Sequence, residues 1–179
     1  MKILYHHRTQ MDDAQGIHIT EIVKAFRQLG HEVKIFSLVE RDDRSGEKNK
    51  GKQWELITKL VPNFLYELME ISYNFYAYYR LRSIIKKFQP DFIYERYAMY
   101  NLCGVLAAKR NDIPIIVEVN APLFYEQSRY EKLAFRKLAR KIENWICTNA
   151  TRAIAVTSTL KKILEEQGAD GANIVVMSN

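Results

Sequence analysis

Six residues stand where a ligand could be bound or charge moved: Gly16, His18, Glu95, Arg96, Asn120 and Ser158. Each lies beside a short apolar run that reads as a β-strand. Gly16 and His18 follow Ile3-Leu4-Tyr5, and Glu95 and Arg96 directly follow Phe92-Ile93-Tyr94. Asn120 closes the stretch Glu118-Val119-Asn120 after Ile115-Ile116-Val117, and Ser158 follows the run from Arg152 to Val156. In an open parallel sheet ligands gather beyond the carboxyl ends of the strands, so polar groups that recur there define one crevice.

The chemistry these types offer is anion and hydroxyl recognition. A helix beginning near Ile17 leaves its first N–H groups unpaired at the positive end of the helix dipole, which favours a phosphate or pyrophosphate. Gly16 lets backbone come close, and His18 in the first turn points at the same crevice. The plainer alternative is that Gly16 supplies a positive φ and His18 is an exposed polar residue. Glu95 and Arg96 read equally as ligand contacts or as a local ion pair holding a loop. Asn120 can donate to a phosphate or sugar hydroxyl, or simply turn the chain before Pro122. Ser158, with Thr157, either caps a helix or meets a ligand phosphate at its N-terminus.

The elements that position these residues alternate along the whole chain. Ile3-Leu4-Tyr5 is followed by Ile19, Ile22, Val23 and Phe26 at helical spacing, with Gly30 placed to end the helix and Val33, Ile35 and Phe36 opening a second strand. Glu40 to Lys52 reads as a charged surface loop and Trp54 to Leu60 as a short strand. Asn63 is placed to cap a long aromatic helix running towards Phe88, with Phe64, Leu65, Leu68, Ile71, Phe75, Leu81, Ile84, Ile85 and Phe88 on its apolar side. Tyr66, Tyr73, Tyr76, Tyr78 and Tyr79 surround it more widely than one stripe would; they suit a helix between layers, or else an interface. Leu102 to Lys109 reads as a helix. A second long helix is expected from Ser128 to about Thr148, with Phe135, Leu138, Ile142, Trp145 and Ile146 on one face and Arg129, Lys132, Arg136 and Arg140 along another. That basic stripe reads as a solvated face or as a contact with anionic lipid headgroups. A helix carrying Leu160, Ile163 and Leu164 stops at Gly168, and Ile174 to Met177 forms a last strand.

Composition narrows the class. The 179 residues, 47% hydrophobic and 27% charged, suit one α/β domain with a full core and not a disordered or fibrous chain. The formal charge of +6 fits an anionic ligand or surface. Cys103 and Cys147 lack metal-type spacing and read as free buried thiols of a reducing compartment, and no metal site is expected. Nucleic acid is disfavoured because no recognition-helix, RNA-motif or zinc pattern accompanies the charge. No apolar run suits a signal peptide or a membrane span, so a cytoplasmic location is expected, with peripheral contact at the inner face of the membrane. Strand and helix alternation calls for a Rossmann-like, doubly wound, mainly parallel sheet with helices on both faces. The first turn has no G-x-G-x-x-G, which disfavours a nicotinamide or flavin oxidoreductase.

Several stretches together resemble the N-terminal domain of family 4 glycosyltransferases of the GT-B fold. They are Gly16-Ile17-His18, Leu29-Gly30-His31-Glu32-Val33, Pro90 to Arg96, Ile113 to Leu123, Ala153 to Ser158 before Leu160-Lys161, and Ile174 to Asn179. The resemblance spans nearly the whole chain. It implies that residues 1–179 are one acceptor-side domain, half of an enzyme that passes a sugar from a nucleotide-sugar to a polysaccharide, lipid-linked or small-molecule acceptor, as in cell-envelope or polysaccharide biosynthesis. It further implies a separate C-terminal domain, absent from this chain, that binds most of the donor, so the fragment alone is expected to be inactive. No cofactor or metal is implied beyond the nucleotide-sugar co-substrate. Asn120 stands where many members carry a His, and an amide cannot take a proton, so it is a binding residue and no catalytic base is assigned. The alternative is a non-catalytic module that docks on an anionic lipid surface or a protein.

Overall fold

The structure is a computed structural model and describes residues 1–9, 14–37, 62–129 and 133–178, without the side chains of Ala14 and Arg129. The expected loop at 40–52, the expected strand at 54–60 and Lys132 lie outside the described residues. Among the described residues six strands make one all-parallel sheet: β1 (Lys2–His7), β2 (Glu32–Ser37), β3 (Phe92–Arg96), β4 (Ile115–Val119), β5 (Arg152–Ala155) and β6 (Ile174–Val176), in the order β2-β1-β3-β4-β5-β6. The helices are α1 (Ala14–Gln28), α2 (Asn63–Phe88), α3 (Cys103–Arg110), α4 (Leu123–Arg129), α5 (Arg136–Asn149) and α6 (Ser158–Glu166).

This order places the helices unequally on the two faces. The step from β1 to β2 runs one way across the sheet and every later step runs the other. With right-handed crossovers, α1 covers one face and the remaining described helices cover the other. The core divides in the same way. Ile19 and Val23 of α1 pack with Ile3, Tyr5, Tyr94 and Ile154, whereas Leu81, Val105, Ile146 and Leu164 pack with Leu4, Ile93, Val117 and Ala155. Side chains along a strand alternate between these two environments.

Several expected boundaries move. Helix α1 starts at Ala14 rather than near Ile17, so Gly16 is its third residue and is not among the glycines with positive φ. Its expected role as a positive-φ turn residue is therefore corrected. Gly30 does end α1 as expected: its φ is 80°, its N–H donates to Arg27 O, and His31 N–H donates to Phe26 O, the paired bonds of a Schellman stop. Asn63 is not the cap of α2. Pro62 holds that position with extended backbone and no side-chain bond, because proline presets φ and has no N–H to satisfy. The expected single helix from Ser128 to Thr148 is two helices, α4 and α5, so Arg129 and Arg136 do not lie on one continuous helical stripe. Cys103 and Cys147 are free and buried, as expected, and burial raises the Cys147 thiol to about 12.

The outer side of α2 also departs from expectation. Ala77, Leu81, Ile85 and Phe88 are buried, yet Phe64, Leu65, Leu68 and Phe75 stand exposed. The expected apolar side is in fact two sides, and only the one carrying Glu67, Ala77 and Leu81 faces the sheet.

Candidate functional site

Glu118, near the end of β4, is the hub of a polar cluster on the α1 face. Strand parity puts it there together with Asn120, Tyr94 and Arg96, and the β3–β4 register sets Arg96 directly beside it. Its Oε2 accepts a hydrogen bond from the Tyr94 hydroxyl at 2.6 Å. Its Oε1 accepts from Asn120 Nδ2 at 2.5 Å and from Arg96 Nη1 at 3.3 Å, and lies 2.9 Å from His18 Nε2 on α1.

The aromatic layer beneath fixes this geometry. Tyr94 stacks on Tyr5 with centroids 5.3 Å apart and meets the edge of Phe26 of α1 at 5.6 Å, so its hydroxyl can reach only a narrow region above β4. Packing of Ile19, Val23 and Phe26 on the sheet seats α1 so that His18, one turn in, overhangs Glu118. The Tyr5 hydroxyl is buried nearby and has no partner among the described residues.

Burial of Glu118, 1% exposed, pushes its carboxyl up, yet hydrogen bonds from Tyr94, Asn120 and His18 outweigh that and hold it below the ordinary carboxylate value. An ionised Glu118 fixes the facing proton of His18 on Nε2. In neutral imidazole that leaves Nδ1 as an acceptor, on a side chain that is 25% exposed. Burial raises the Tyr94 phenol far above its usual range, with the Glu118 charge adding to it, so Tyr94 stays a donor.

Glu95 is not part of this cluster. It is the neighbour of Arg96 in β3, so it points to the other face, where Oε2 lies 2.6 Å from His6 Nδ1, both residues being buried. Glu95 and Arg96 therefore form neither one site nor a local pair with each other. The two histidines of β1 separate likewise. His7, beside Tyr5 on the α1 face, accepts from Thr9 N–H at 3.3 Å through Nδ1 and is held neutral, its value lowered to about 4 by burial and by the nearby His6 charge.

The other expected residues are placed as follows. Gly16 is buried in the first turn of α1, where its carbonyl accepts from the Thr20 hydroxyl at 2.8 Å. Ser158 is exposed at the start of α6, and the cap is its neighbour Thr157, whose Oγ1 accepts from Leu160 N–H at 3.0 Å. Arg136 and Arg140 are exposed on α5, and Arg129 ends α4. Among the described residues, no group of three or more His, Cys, Asp or Glu has the arrangement of a metal site. No described helix is long and apolar enough to cross a membrane.

Sequence reasoning named Glu118 only as a polar neighbour and missed it as the hub, and it missed Tyr94. The available signal was parity: residues 94 and 96, and 118 and 120, share one face of two adjoining strands.

Comparison with known proteins bears on the same region. The model of "Glycosyltransferase Family 4" matches residues 15–179. No curated protein sequence matches the chain. Among solved structures, the lipopolysaccharide outer core galactosyltransferase WaaB in its apo form aligns with a TM-score of 0.63 at 16% identity, covering 100% of this chain and 46% of that one. The Staphylococcus aureus (S. aureus) MnaA–UDP co-structure aligns with a TM-score of 0.62 at 19% identity, covering 99% and 45%. The UDP-GlcNAc 2-epimerase from Methanocaldococcus jannaschii aligns with a TM-score of 0.59 at 17% identity, covering 100% and 46%. The chain thus spans about half the length of these structures, and the likeness is one of fold.

Proposed function

The chain belongs to glycosyltransferase family 4, as its N-terminal GT-B domain, and on that footing we propose that it is the acceptor-side half of an enzyme that moves a hexose from a nucleotide-sugar to a polysaccharide, lipid-linked or small-molecule acceptor. A second domain binds most of the donor and completes the crevice, and this half alone does not turn over. The site of action is the cytoplasm, with substrates of envelope or polysaccharide assembly.

The observation that supports this reading most is the convergence of His18, Arg96 and Asn120 on Glu118 beside the N-terminus of α1. Glu118 has both oxygens engaged by protein donors and so acts by orienting its neighbours. His18 Nδ1 is left to accept a hydrogen bond from an acceptor hydroxyl. The Arg96 guanidinium and the first amides of α1 suit the charge of a leaving diphosphate, which they can offset without a metal. The unpartnered Tyr5 hydroxyl adds a donor under the same crevice.

Calorimetric titration of uridine and guanosine diphosphate sugars into this chain, and into the chain continued through the next domain, tests the division of labour. Tight binding by the longer protein only is expected. Tight binding by residues 1–179 alone would overturn it. In the longer protein, His18→Ala and Arg96→Ala are each expected to lower sugar transfer by about tenfold or more. Unchanged transfer in both would remove the site assignment.

A further inference from the structure

We infer that the outer side of α2 is a membrane-docking surface that inserts into the headgroup layer of an anionic bilayer. Phe64, Leu68, Phe75 and Tyr79 fall at intervals of four, seven and four residues and form one stripe along the helix, with Met69 and Tyr76 beside it. All six are exposed, Phe75 at 72% and Tyr79 at 67%. Ser72 lies between the two halves of the stripe, and its hydroxyl is turned back to the Met69 carbonyl at 2.8 Å. The opposite side of α2 is already spent on the sheet through Ala77, Leu81 and Ile85. A helix apolar on both sides is normally covered on both.

Charge decides between occupants. The acids of α2 are Glu67 and Glu70, and both are engaged by partners elsewhere in the domain. Glu67 is buried; it accepts from the Tyr100 hydroxyl, from Ala134 N–H at 2.5 Å and from Phe135 N–H at 2.9 Å. Glu70 takes Arg8 Nη2 at 2.9 Å. The outer side therefore carries no acid, and the exposed charges that continue it are Arg80, Lys86 and Lys87. The Glu67 bonds also anchor the residues leading into α5, so the basic turn with Arg136 and Lys137 begins against the second turn of α2. Aromatic side chains without acids, flanked by cations, match the boundary between acyl chains and acidic headgroups, where rings with one wet end sit well. This reading moves the expected lipid contact from a basic stripe on one helix to an aromatic face with cations at its rim, and it does not depend on the transferase reading.

The test is co-sedimentation of the chain with vesicles of phosphatidylglycerol and phosphatidylcholine, and with vesicles of phosphatidylcholine alone. Binding to the acidic vesicles is expected, weakened by salt. The exposed double variant Phe75→Ser/Tyr79→Ser is expected to bind about tenfold or more weakly with unchanged circular dichroism. A Phe75→Trp variant is expected to show blue-shifted emission on vesicles relative to the parent. Equal binding by parent and double variant, or no shift at position 75, would overturn the inference. So would sedimentation of the vesicle-free chain as a dimer that the double variant dissolves, since a second copy would then cover the stripe.

Discussion

Replacing Gly104 by Ala sets two effects of known size against each other. Gly104 sits in the first turn of α3, and in an ordinary helix Gly→Ala stabilises by about 1 kcal/mol. Here an added Cβ would lie 2.5 Å from Glu95 Cδ and 3.0 Å from Oε1, with Oε2 nearer still. The carboxylate would have to leave His6, and both groups are buried. Separating a buried pair so that one partner is stranded costs about 3–5 kcal/mol. The net is a loss of roughly 2–4 kcal/mol, which for a chain of this length lowers Tm by roughly 5–15 °C. Thermal unfolding followed by circular dichroism reads it directly. A second arm fixes the cause: in a Glu95→Ala background the clash is gone, so Gly104→Ala is expected to be neutral or stabilising. A higher Tm for Gly104→Ala alone would refute the reasoning and mean that Glu95 is free to swing elsewhere; equal losses in both backgrounds would refute it by showing that the cost does not come from Glu95.

Acid sensitivity follows from His7. Its folded value of about 4 lies below the ordinary 6.5, so its contribution is complete above pH 6.5 and is lost as pH falls towards 4, on the order of 3 kcal/mol. Denaturant unfolding of His7→Phe across that window is expected to show a flatter pH dependence than the parent. Glu118 acts in the same direction at lower pH: its depressed value gives stability that is present above about 4.5 and disappears as pH falls through the folded value, and Glu118→Gln is expected to remove that last loss. Thr157→Ala is expected to cost about 1 kcal/mol in urea unfolding, whereas Ser158→Ala stays within about 0.5 kcal/mol. Gly30→Ala meets nothing within 4 Å, so its expected cost of about 1 kcal/mol comes from φ of 80° alone and is seen as a lower urea midpoint.

The strand and helix order was readable because each apolar run is short, β-branched or aromatic, and closed by a glycine, a proline or charge. Gly30 and Gly168 mark helix ends in the sequence, and both adopt positive φ there. Boundaries were harder. Glu95, Arg96 and Glu118 look like the polar ends of strands, but they lie within β3 and β4 because burial is offset by partners that are distant in sequence. Single-residue polarity cannot show that His6 answers Glu95, or that His18 answers Glu118 across 100 positions. The interruption between α4 and α5 was hidden because 128–148 keeps helical periodicity through it. The exposed side of α2 was hidden for the opposite reason, since apolar content was taken to mean burial.

The alternation of Glu95 and Arg96 has a bearing on how the sheet avoids mispairing. In the observed register His6 lies directly opposite Glu95, and Arg96 directly opposite Glu118. A slip of β3 by one residue turns every side chain to the other face. A slip in one direction would bring Glu95 beside Glu118, two carboxylates in a buried layer; a slip in the other would set Arg96 against His6 beneath Phe36. The two buried polar pairs thus act as a key for strand alignment: the central strand can close in one register, and the neighbours that assemble on it inherit that choice.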